Sequence, residues 1–338
     1  MVNVLSGPDD FPLPGDPAAA KLARRTVDQR HWAKRIGVPL AGLNAPAFRS
    51  LYPFESRLHT LGSLNYHYLD EGEGEPVVML HGNPTWSFFY RDLILGLRDR
   101  HRCLVPDHLG CGLSEKPPDH PYCLENHIAN LESWLAGILP LESWPGGRFN
   151  LVVHDWGGPI GFGYALRNPG RVLRLVVLNT SIFTSGTMPR RIRLCRLPFL
   201  GEALVRHLNL FARGAARLTT VRPLSANVRA GYLLPYNSWK NRVGIQAFLR
   251  DIPLEIDSPS RRLLRSLGDE APFRLAEKPM LIQWGMNDWC FTPAFLGIWR
   301  QSFPDAKVGE YRAGHYLLED AGREIVKSVG EFLKGPLP

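Results

Sequence analysis

The segment 149–158, which reads FNLVVHDWGG, constrains this chain of 338 residues more than any other segment. Its apolar run, residues 151–153, is typical of a short buried strand, and a helix-compatible apolar segment, residues 160–166, follows the two glycines. The pattern therefore predicts a strand, a sharp turn and a helix, with Asp155 at the apex of the turn. The small residues after the apex let the helix pack close to the strand, and the N-terminus of the helix offers backbone N–H groups to an anion.

An aspartate at the apex of this turn favours one kind of chemistry. The carboxylate of Asp155, with an ordinary pKa of about 3.9, is ionised at neutral pH. It can therefore attack a carbon atom directly, whereas a serine hydroxyl needs a base to remove its proton. A carboxylate nucleophile suits displacement at a saturated carbon that bears a leaving group. The product is an alkyl ester of the enzyme, which a second step must clear.

The composition limits the class of protein. A chain of this length with 44% hydrophobic residues is long enough for a large core, and we expect one domain with an insertion. The five cysteines form no CxxC pair or metal-binding spacing, which indicates reduced thiols. The sequence shows neither a signal-peptide pattern nor a run of about 18 apolar residues, so we expect a cytoplasmic protein. The net charge of +8 permits anionic partners, but no nucleic-acid motif accompanies it and we expect no nucleic-acid partner.

Strand-like and helix-like segments alternate along most of the chain after residue 57. The alternating segment 57–70, with a turn signal at Gly62, predicts a hairpin, and apolar runs such as 77–80 predict parallel strands buried on both faces. This rhythm predicts an α/β fold with a mostly parallel, doubly wound sheet. Ligands of such sheets bind beyond the carboxyl ends of the strands, so we expect the loops after residues 80, 105, 153 and 178 to meet at one site.

Two regions do not show this alternation of strand-like and helix-like segments. Residues 183–273 lack strand patterns and are interrupted by prolines, so we interpret them as a helical cap inserted into a core formed by residues 51–182 and 274–338. The first half of the cap is rich in arginine, which is typical of a solvated face or, alternatively, of a docking surface for a partner or an anionic lipid. Residues 1–50 are interpreted as an N-terminal extension, with an amphipathic helix within 18–36 that lies on the domain or contacts a membrane or partner.

Three polar residues follow predicted strands in the order acid, acid, histidine: Asp155, Asp288 and His315. A single aspartate or histidine at a strand end is usually structural, but three in this order, one of them on the turn described above, indicate a catalytic triad. In this hypothesis His315 takes a proton from the water that attacks the ester on Asp155. Asp288 accepts the other ring N–H of His315, which fixes the tautomer and stabilises the imidazolium.

Four motifs resemble those of haloalkane dehalogenases, a family of α/β-hydrolases, and the resemblance extends from about residue 52 to the C-terminus. They are HGNPTW (81–86), HDWGG (154–158), WGMND (284–288) and GHY (314–316). The resemblance implies an α/β-hydrolase fold, an eight-stranded sheet with an inserted helical cap. It also implies that the side-chain N–H groups of Asn83 and Trp156 hold the departing halide, and that their backbone N–H groups form the oxyanion hole for ester hydrolysis. An amide and an indole are neutral donors that can bind a weakly hydrated anion.

The position of the triad acid narrows the resemblance. Some haloalkane dehalogenases carry this acid after the strand that follows the nucleophile helix, but here residues 178–181 read LNTS and contain no carboxylate. The combination of Asn83 with Asp288 resembles the third dehalogenase subfamily, which overlaps with β-lactone decarboxylases of bacterial long-chain olefin biosynthesis. The segment LYPF at 51–54 resembles that group as well.

The main functional hypothesis is cleavage of carbon–halogen bonds through an alkyl ester on Asp155, with release of halide and alcohol. A β-lactone decarboxylase that makes a long-chain cis-alkene is the alternative, because both reactions begin with carboxylate attack and need a site for a leaving anion. Epoxide hydrolysis is a lesser alternative, which would require acidic phenols such as Tyr232 and Tyr236 in the cap. A binding protein without activity is disfavoured because no triad residue is missing.

The hypothesis requires neither a metal nor an organic cofactor. The expected partners are a small hydrophobic halogenated or lactone substrate, a halide ion and water. Homo-oligomerisation or assembly with pathway enzymes stays open, as does weak contact with a membrane surface through the basic cap or the N-terminal segment. Nine apolar cap residues suit a long hydrocarbon substrate or, equally, a packed core: Phe183, Leu197, Phe199, Leu200, Leu208, Leu210, Phe211, Phe248 and Leu249.

Overall fold

The computed structural model of the chain describes residues 28–142, 144–185, 188–255 and 257–336. These residues form an eight-stranded sheet with the strand order β1-β2-β4-β3-β5-β6-β7-β8. The strands are β1 (Arg57–Leu61), β2 (Leu64–Glu71), β3 (Glu75–Leu80), β4 (His101–Pro106), β5 (Phe149–His154), β6 (Val172–Leu178), β7 (Met280–Gly285) and β8 (Lys307–Tyr311).

The strand directions confirm the predicted α/β-hydrolase architecture. β1 and β2 form the predicted antiparallel hairpin, and β2 also pairs antiparallel with β4. The remaining neighbours, from β4 through β3, β5, β6 and β7 to β8, pair in parallel. The carboxyl ends of the parallel strands therefore share one edge of the sheet, and the loops that follow them meet there.

Helices cover the sheet and the edge where these loops meet. The described α-helices are α1 (Gln29–Ile36), α2 (Leu40–Leu43), α3 (Pro46–Leu51), α4 (Arg91–Leu97), α5 (Leu124–Ile138), α6 (Trp144–Gly147), α7 (Gly157–Arg167), α8 (Arg190–Arg196), α9 (Leu200–Glu202), α10 (Leu210–Leu218), α11 (Ala226–Leu233), α12 (Val243–Asp251), α13 (Pro259–Arg274), α14 (Pro293–Ser302) and α15 (Leu317–Leu333). Short 3₁₀ helices lie at Ser87–Tyr90, Pro169–Arg171, Leu234–Tyr236 and Lys240–Arg242, and a π-helical turn lies at Ala203–His207.

The core consists of two apolar layers, one on each face of the sheet. Successive residues of β3 alternate between them: Val77 and Met79 contribute to one layer, and Val78 and Leu80 to the other. All four side chains are fully buried. Burial on both faces explains why the central strands read as continuous apolar runs in the sequence.

The segment between β6 and β7 contains helices α8 to α13 and, within its described residues, no strand. This agrees with the helical character predicted for residues 183–273, while the division of the chain into extension, core and cap stays a prediction. Residues 1–27, which include the first half of the predicted N-terminal amphipathic helix, lie outside the described residues. Helix α1 buries Trp32 and Ile36 in one core layer. In the part of the chain that the structure describes, no helix is both long and apolar enough to cross a membrane.

Candidate active site

The sharp turn predicted at Asp155 joins β5 to α7. Asp155 has a φ of 50°, a left-handed conformation that aspartate adopts more readily than most residues. The turn is tight enough that a Cβ atom at Gly157 would lie 2.0 Å from the carbonyl oxygen of Leu80. One at Gly158 would lie 2.0 Å from Oγ1 of Thr180. Glycine is therefore required at both positions by the close approach of helix and sheet, as the sequence pattern predicted.

The carboxylate of Asp155 lies buried at the carboxyl edge of the sheet, where backbone donors bind it. The backbone N–H of Asn83 donates to its Oδ1 at 2.7 Å, and the backbone N–H of Trp156 also bonds the carboxylate. Burial raises the pKa of Asp155, whereas His315 and the two backbone N–H groups act in the opposite direction. The result is a weakly solvated carboxylate that is held in place by donors on one side.

His315 lies between the two aspartates, as the triad hypothesis requires. Its Nδ1 is 2.8 Å from Oδ2 of Asp288, and its Nε2 is 3.7 Å from Oδ2 of Asp155. The second distance is too long for a hydrogen bond, so Nε2 is free to accept a proton from another molecule. Burial acts to lower the pKa of His315, but the charge and hydrogen bond of Asp288 more than compensate, and the pKa lies above its ordinary value.

Asn179 belongs to the site, although the sequence indicates only that residues 178–181 contain no carboxylate. Its Nδ2 donates to Oδ2 of Asp288 at 2.9 Å, and its Oδ1 accepts the backbone N–H of Gly285 at 2.7 Å. The backbone N–H of Cys290 donates to the other oxygen of Asp288 at 2.6 Å. Asp288 thus accepts bonds from Asn179, Cys290 and His315. An amide in the segment 178–181, which contains no carboxylate, therefore orients the acid of the predicted triad.

His154 is a second residue whose role the sequence did not indicate. Its Nε2 is 2.9 Å from the carbonyl oxygen of His315, so this nitrogen carries the proton and donates it. Its ring stacks against Phe89 with a centroid distance of 4.3 Å. Burial lowers the pKa of His154 well below its ordinary value. A neutral His154 therefore fixes the backbone of His315 without adding a charge beside the triad.

The two residues expected to bind a leaving anion lie beside Asp155. The side-chain Nδ2 of Asn83 donates one N–H to the carbonyl oxygen of Ile245 in α12 at 3.2 Å, which leaves its second N–H for a ligand. The indole of Trp156 packs against Phe248 with a centroid distance of 5.2 Å. Both Asn83 and Trp156 line the same cavity as Asp155 and His315. The structure therefore brings together all five predicted site residues, while their catalytic roles stay predictions.

The cavity above Asp155 has a volume of about 390 Å³ and a mostly apolar lining. This volume is within the range typical of small-molecule sites, about 300–1,000 Å³. Loops and helices outside the segment between β6 and β7 contribute residues such as Trp289, Phe291 and Tyr316, and that segment contributes most of the remaining apolar wall. That wall includes Phe183, Met188, Ile192, Leu204, Leu210, Phe211, Leu249, Ile252 and Leu264.

The nine apolar residues that the sequence predicts in the cap lie in three different environments. Phe183, Leu210, Phe211 and Leu249 line the cavity, and Phe248 is buried against Trp156. The remaining four are exposed: Leu197, Phe199, Leu200 and Leu208. The sequence could not separate these groups, because lining a cavity, packing in a core and facing solvent require the same residue types on different faces of short helices.

The two tyrosines that epoxide opening would require do not face this cavity. Tyr232 is buried and its hydroxyl donates to Glu319 at 2.5 Å. Tyr236 is also buried, and its hydroxyl donates to the carbonyl oxygen of Thr85 at 3.2 Å. Burial raises the pKa of both phenols well above the ordinary value. Both side chains therefore join the segment between β6 and β7 to the rest of the described chain, and they are not available to protonate an alkoxide.

No group of three or more His, Cys, Asp or Glu side chains among the described residues could hold a metal ion. The site instead consists of a buried carboxylate, a histidine oriented by a second carboxylate, and neutral N–H donors at the base of an apolar cavity. Such a set can form an ester at a carbon atom, bind the anion that leaves and deliver water to the ester.

Comparisons with known proteins agree with this geometry. The family model described as the alpha/beta hydrolase fold matches residues 75–322. The chain is 43% identical over 291 residues to the cis-3-alkyl-4-alkyloxetan-2-one decarboxylase of Shewanella oneidensis, covering 84% of this chain and 90% of that protein. It is 36% identical over 285 residues to haloalkane dehalogenase 2 of Mycobacterium bovis, covering 83% and 96%. The crystal structure of haloalkane dehalogenase DbeA from Bradyrhizobium elkani superposes with a TM-score of 0.74 at 24% identity, covering 82% and 97%, and supports the fold alone.

Proposed function

The chain belongs to the alpha/beta hydrolase fold family, and from this premise we propose that it is an enzyme of the haloalkane dehalogenase type in which Asp155 forms an ester with its substrate. We propose further that its native substrate is a β-lactone with two alkyl substituents, and that cleavage of carbon–halogen bonds is a second activity of the same site. The observation that carries the proposal is the position of Asp155. Its carboxylate lies at the base of an apolar cavity, with donors on one side and His315 on the other.

Relatives of both kinds support the shared chemistry. The similarity to a haloalkane dehalogenase at 36% identity supports carbon–halogen cleavage, the main hypothesis from the sequence. The similarity to an oxetan-2-one decarboxylase at 43% identity supports the alternative, because an oxetan-2-one is a β-lactone. We place the lactone first because that relative is the more similar of the two over a comparable share of the chain.

In the proposed first step, Oδ2 of Asp155 attacks a saturated carbon atom. This oxygen faces His315, whereas Oδ1 stays bonded to the backbone N–H of Asn83. With a haloalkane, the new C–O bond forms as the C–X bond breaks and the halide takes the bonding pair. With a β-lactone, attack at C4 breaks the C4–O bond, and the ring opens to a carboxylate that stays attached through C3. The side-chain N–H groups of Asn83 and Trp156 stabilise the leaving halide or carboxylate.

The second step differs between the two substrates. An alkyl ester without a neighbouring carboxylate is hydrolysed: His315 takes a proton from water, and the resulting hydroxide equivalent attacks Cγ of Asp155. The backbone N–H groups of Asn83 and Trp156 stabilise the tetrahedral oxyanion. The bond between Cγ and the oxygen that carries the alkyl group then breaks, the alcohol leaves with the proton from His315, and the Asp155 carboxylate is restored.

The ester formed from a β-lactone can break down without water. Attack from the side opposite the ring oxygen places the new C4–O bond antiperiplanar to the bond between C3 and the carboxylate. The electrons of that C–C bond can form the C3=C4 double bond as carbon dioxide leaves, and the Asp155 carboxylate takes the C4–O pair. Both alkyl groups stay on the same side throughout, so a cis-lactone gives a cis-alkene, and the apolar cavity favours loss of the charged carboxylate as neutral carbon dioxide.

The proposal is tested by incubating the purified protein with a cis-3,4-dialkyl-oxetan-2-one and measuring alkene by gas chromatography–mass spectrometry. We expect the cis-alkene and carbon dioxide in equal amounts, and at least about a 10⁴-fold loss of rate in the Asp155→Ala variant. Formation of the 3-hydroxy acid in place of the alkene would show that the lactone is hydrolysed, and would refute decarboxylation as the native reaction.

A single-turnover reaction in H₂¹⁸O tests the nucleophile. With 1-bromohexane, water attacks Cγ of Asp155, so the heavy oxygen enters Asp155 and the hexanol carries ordinary oxygen from the carboxylate. Peptide mass spectrometry should locate the label in the peptide containing Asp155. Label in the alcohol after one turnover would mean direct attack of water on the substrate, and would refute the ester intermediate for both reactions.

A further inference from the structure

Among the described residues, seven of the twelve exposed large apolar side chains lie between residues 194 and 218, a segment that also helps to line the active-site cavity. Phe199 has 88% of its surface exposed, and the large apolar side chains around it are about half exposed. They are Leu194, Leu197, Leu200, Leu208, Leu210 and Leu218. Single exposed apolar residues are common on proteins, but a concentration of seven in one short segment indicates an interaction surface. We call this group, together with the arginines described next, the cap rim.

The cap rim is also strongly basic. Residues 188–225 contain eight arginines (190, 191, 193, 196, 206, 213, 217 and 222) and one acidic residue, Glu202. Glu202 pairs with Arg206, and Arg196 pairs with Glu255. Among the described residues, no carboxylate lies within ion-pair distance of Arg190, Arg193, Arg213 or Arg217, all of which are exposed. Their charges are therefore not neutralised within the protein.

Apolar and basic residues share the same faces of two helices. Along α8 and the residue after it, Arg190, Arg193, Leu194 and Leu197 are exposed at spacings of three, four and seven residues, which places them on one stripe. Along α10, Leu210, Arg213 and Arg217 repeat the spacing, and Leu218 follows. A face that presents leucine beside arginine is typical of helices that lie in the membrane interface, where apolar tips enter the acyl region and guanidinium groups contact phosphates.

The two stripes surround a single opening. Leu194 of α8 and Leu210 and Leu218 of α10 are exposed, and all three also line the cavity above Asp155. They therefore form the edge of the cavity, where it meets the surface. A molecule bound on the cap rim lies directly over the entrance to the active site.

Phe199 is the most exposed apolar side chain of the cap rim. Its φ is 56°, a conformation that costs free energy for a bulky residue, and it holds the ring outward between Pro198 and Leu200. The carbonyl oxygen of Phe199 accepts the N–H of Ala203 at 2.9 Å at the start of α9, but burial of the ring does not contribute within the chain. The conformation is explained if the ring has a partner outside the chain.

We propose that the cap rim docks on the surface of an anionic phospholipid bilayer, so that the cavity opens onto the lipid from which an apolar substrate enters. Charge complementarity selects an anionic surface, because four unpaired arginines face outward. Electrostatic attraction alone holds a protein at the lipid headgroups. The apolar residues between the arginines insert into the acyl region and strengthen the binding. The proposal goes beyond the proposed function and its first test needs no substrate, so the two can fail separately.

The test is co-sedimentation of the full chain with vesicles of phosphatidylcholine alone or with 30 mol% phosphatidylglycerol, a fraction of about one third chosen so that charge dominates binding. We expect binding to the anionic vesicles, and weakening by salt because exposed charges are screened. The double variant Leu197→Ser/Phe199→Ser should lower the partition coefficient by about tenfold or more. The double variant Arg193→Gln/Arg217→Gln should lower it roughly 20- to 30-fold.

Matched controls separate the cap rim from general surface properties. Phe273 is 83% exposed on α13, so Phe273→Ser removes a similar apolar surface elsewhere. Arg323→Gln/Lys327→Gln removes two exposed charges from α15. Both controls should bind like the original chain. Equal losses in the controls, equal binding to both kinds of vesicle, or no binding at all would overturn the proposal.

A second copy of the chain or another protein is the competing occupant. Size-exclusion chromatography with light scattering decides between a second copy and a lipid surface. If Leu197→Ser/Phe199→Ser converts a dimer to a monomer, the cap rim is a subunit interface and the proposal is wrong. If the mass is unchanged while vesicle binding is lost, the lipid surface is supported.

Discussion

The two walls of the active-site cavity are built on different principles. On the core wall, Asp155, Asp288 and His315 follow rigid strands, and almost every polar atom has a defined partner, as the three bonds to Asp288 illustrate. The cap wall is apolar and consists of short helices with few polar contacts to the cavity. On the core wall, hydrogen-bond geometry limits which side chains can be substituted. On the cap wall, only the packing of apolar side chains sets such a limit. The chemistry should therefore be sensitive to single atoms on the core wall, and the choice of substrate should tolerate change on the cap wall.

The largest expected effect separates the two proposed reactions on the core wall itself. In His315→Gln, hydrolysis of the ester loses its base, so steady-state halide release should fall by about 10²- to 10⁴-fold, while one equivalent of halide is still released. Mass spectrometry should detect the alkyl ester on Asp155. Alkene formation from a β-lactone needs no water, and we expect it to fall less than about tenfold.

A matched histidine variant controls for this result. His207 is exposed in the cap, and His207→Gln should leave both reactions unchanged. Equal loss of halide release and alkene formation in His315→Gln would mean that His315 acts in the first step, and would contradict the division of roles proposed above.

A smaller effect is expected when one nitrogen beside the triad is replaced by oxygen. Asn179→Asp replaces the amide that donates to Asp288 at 2.9 Å with a second carboxylate. Repulsion between the two carboxylates and loss of the donor should cost about 1–3 kcal/mol, which corresponds to a roughly 5- to 150-fold lower rate of halide turnover. Steady-state kinetics with 1-bromohexane measures this change.

The chain offers a control with the same chemistry. Asn65 donates to Glu115 at 3.2 Å, so Asn65→Asp also places an aspartate beside a carboxylate, but far from the triad. It should lower thermal stability slightly and leave the rate unchanged. A similar rate loss in both variants would show that the effect is general destabilisation rather than disturbance of Asp288.

The pH dependence of the two reactions should differ in the acid range. Halide turnover needs neutral His315, whose pKa lies above 6.5, so turnover should fall about tenfold per pH unit as the pH drops below that raised pKa. Alkene formation needs only ionised Asp155, whose pKa is raised by burial from 3.8, and its decline should begin at lower pH. Initial rates between pH 4 and pH 9, a range of about 2–3 units around the ordinary histidine pKa, measure both limbs. If the rates of the two reactions fall at the same acidic pH, both reactions use the same base.

The smallest effect is expected on the cap wall. Leu204 lies in the π-helical turn and lines the cavity, so Leu204→Trp should shorten the space for alkyl chains. We expect about a tenfold lower kcat/KM for long-chain substrates and a change of less than about threefold for short ones. Leu208→Trp is the matched control, because Leu208 lies in the next turn and faces solvent. A loss with short substrates as large as with long ones would show that the cap wall also controls the chemistry.

The same contrast explains what the sequence could predict. Some features depend only on which residue type stands at a fixed position after a strand. These are the three triad residues, the glycines after Asp155 and the donors Asn83 and Trp156. The structure places them at the predicted positions. Asn179 and His154 escaped prediction because their roles depend on partners more than 100 residues away, Gly285, Asp288 and His315. The cap was predicted only as helical and apolar. Which leucine faces the cavity and which faces solvent depends on rotations of short helices that the sequence does not specify.

The hydrogen bonds that join the two walls have a consequence for how such enzymes diversify. Three donors of the core bind carbonyl oxygens of the cap main chain: Nδ2 of Asn83 with Ile245, Nε1 of Trp289 with Leu218, and the backbone N–H of Tyr316 with Thr219. A main-chain carbonyl is present whichever side chain the gene encodes there. The stretch between β6 and β7 is contiguous and contains no triad residue, so point mutations or exchange of the whole stretch can create new substrate preferences while these attachments and the inherited reaction persist.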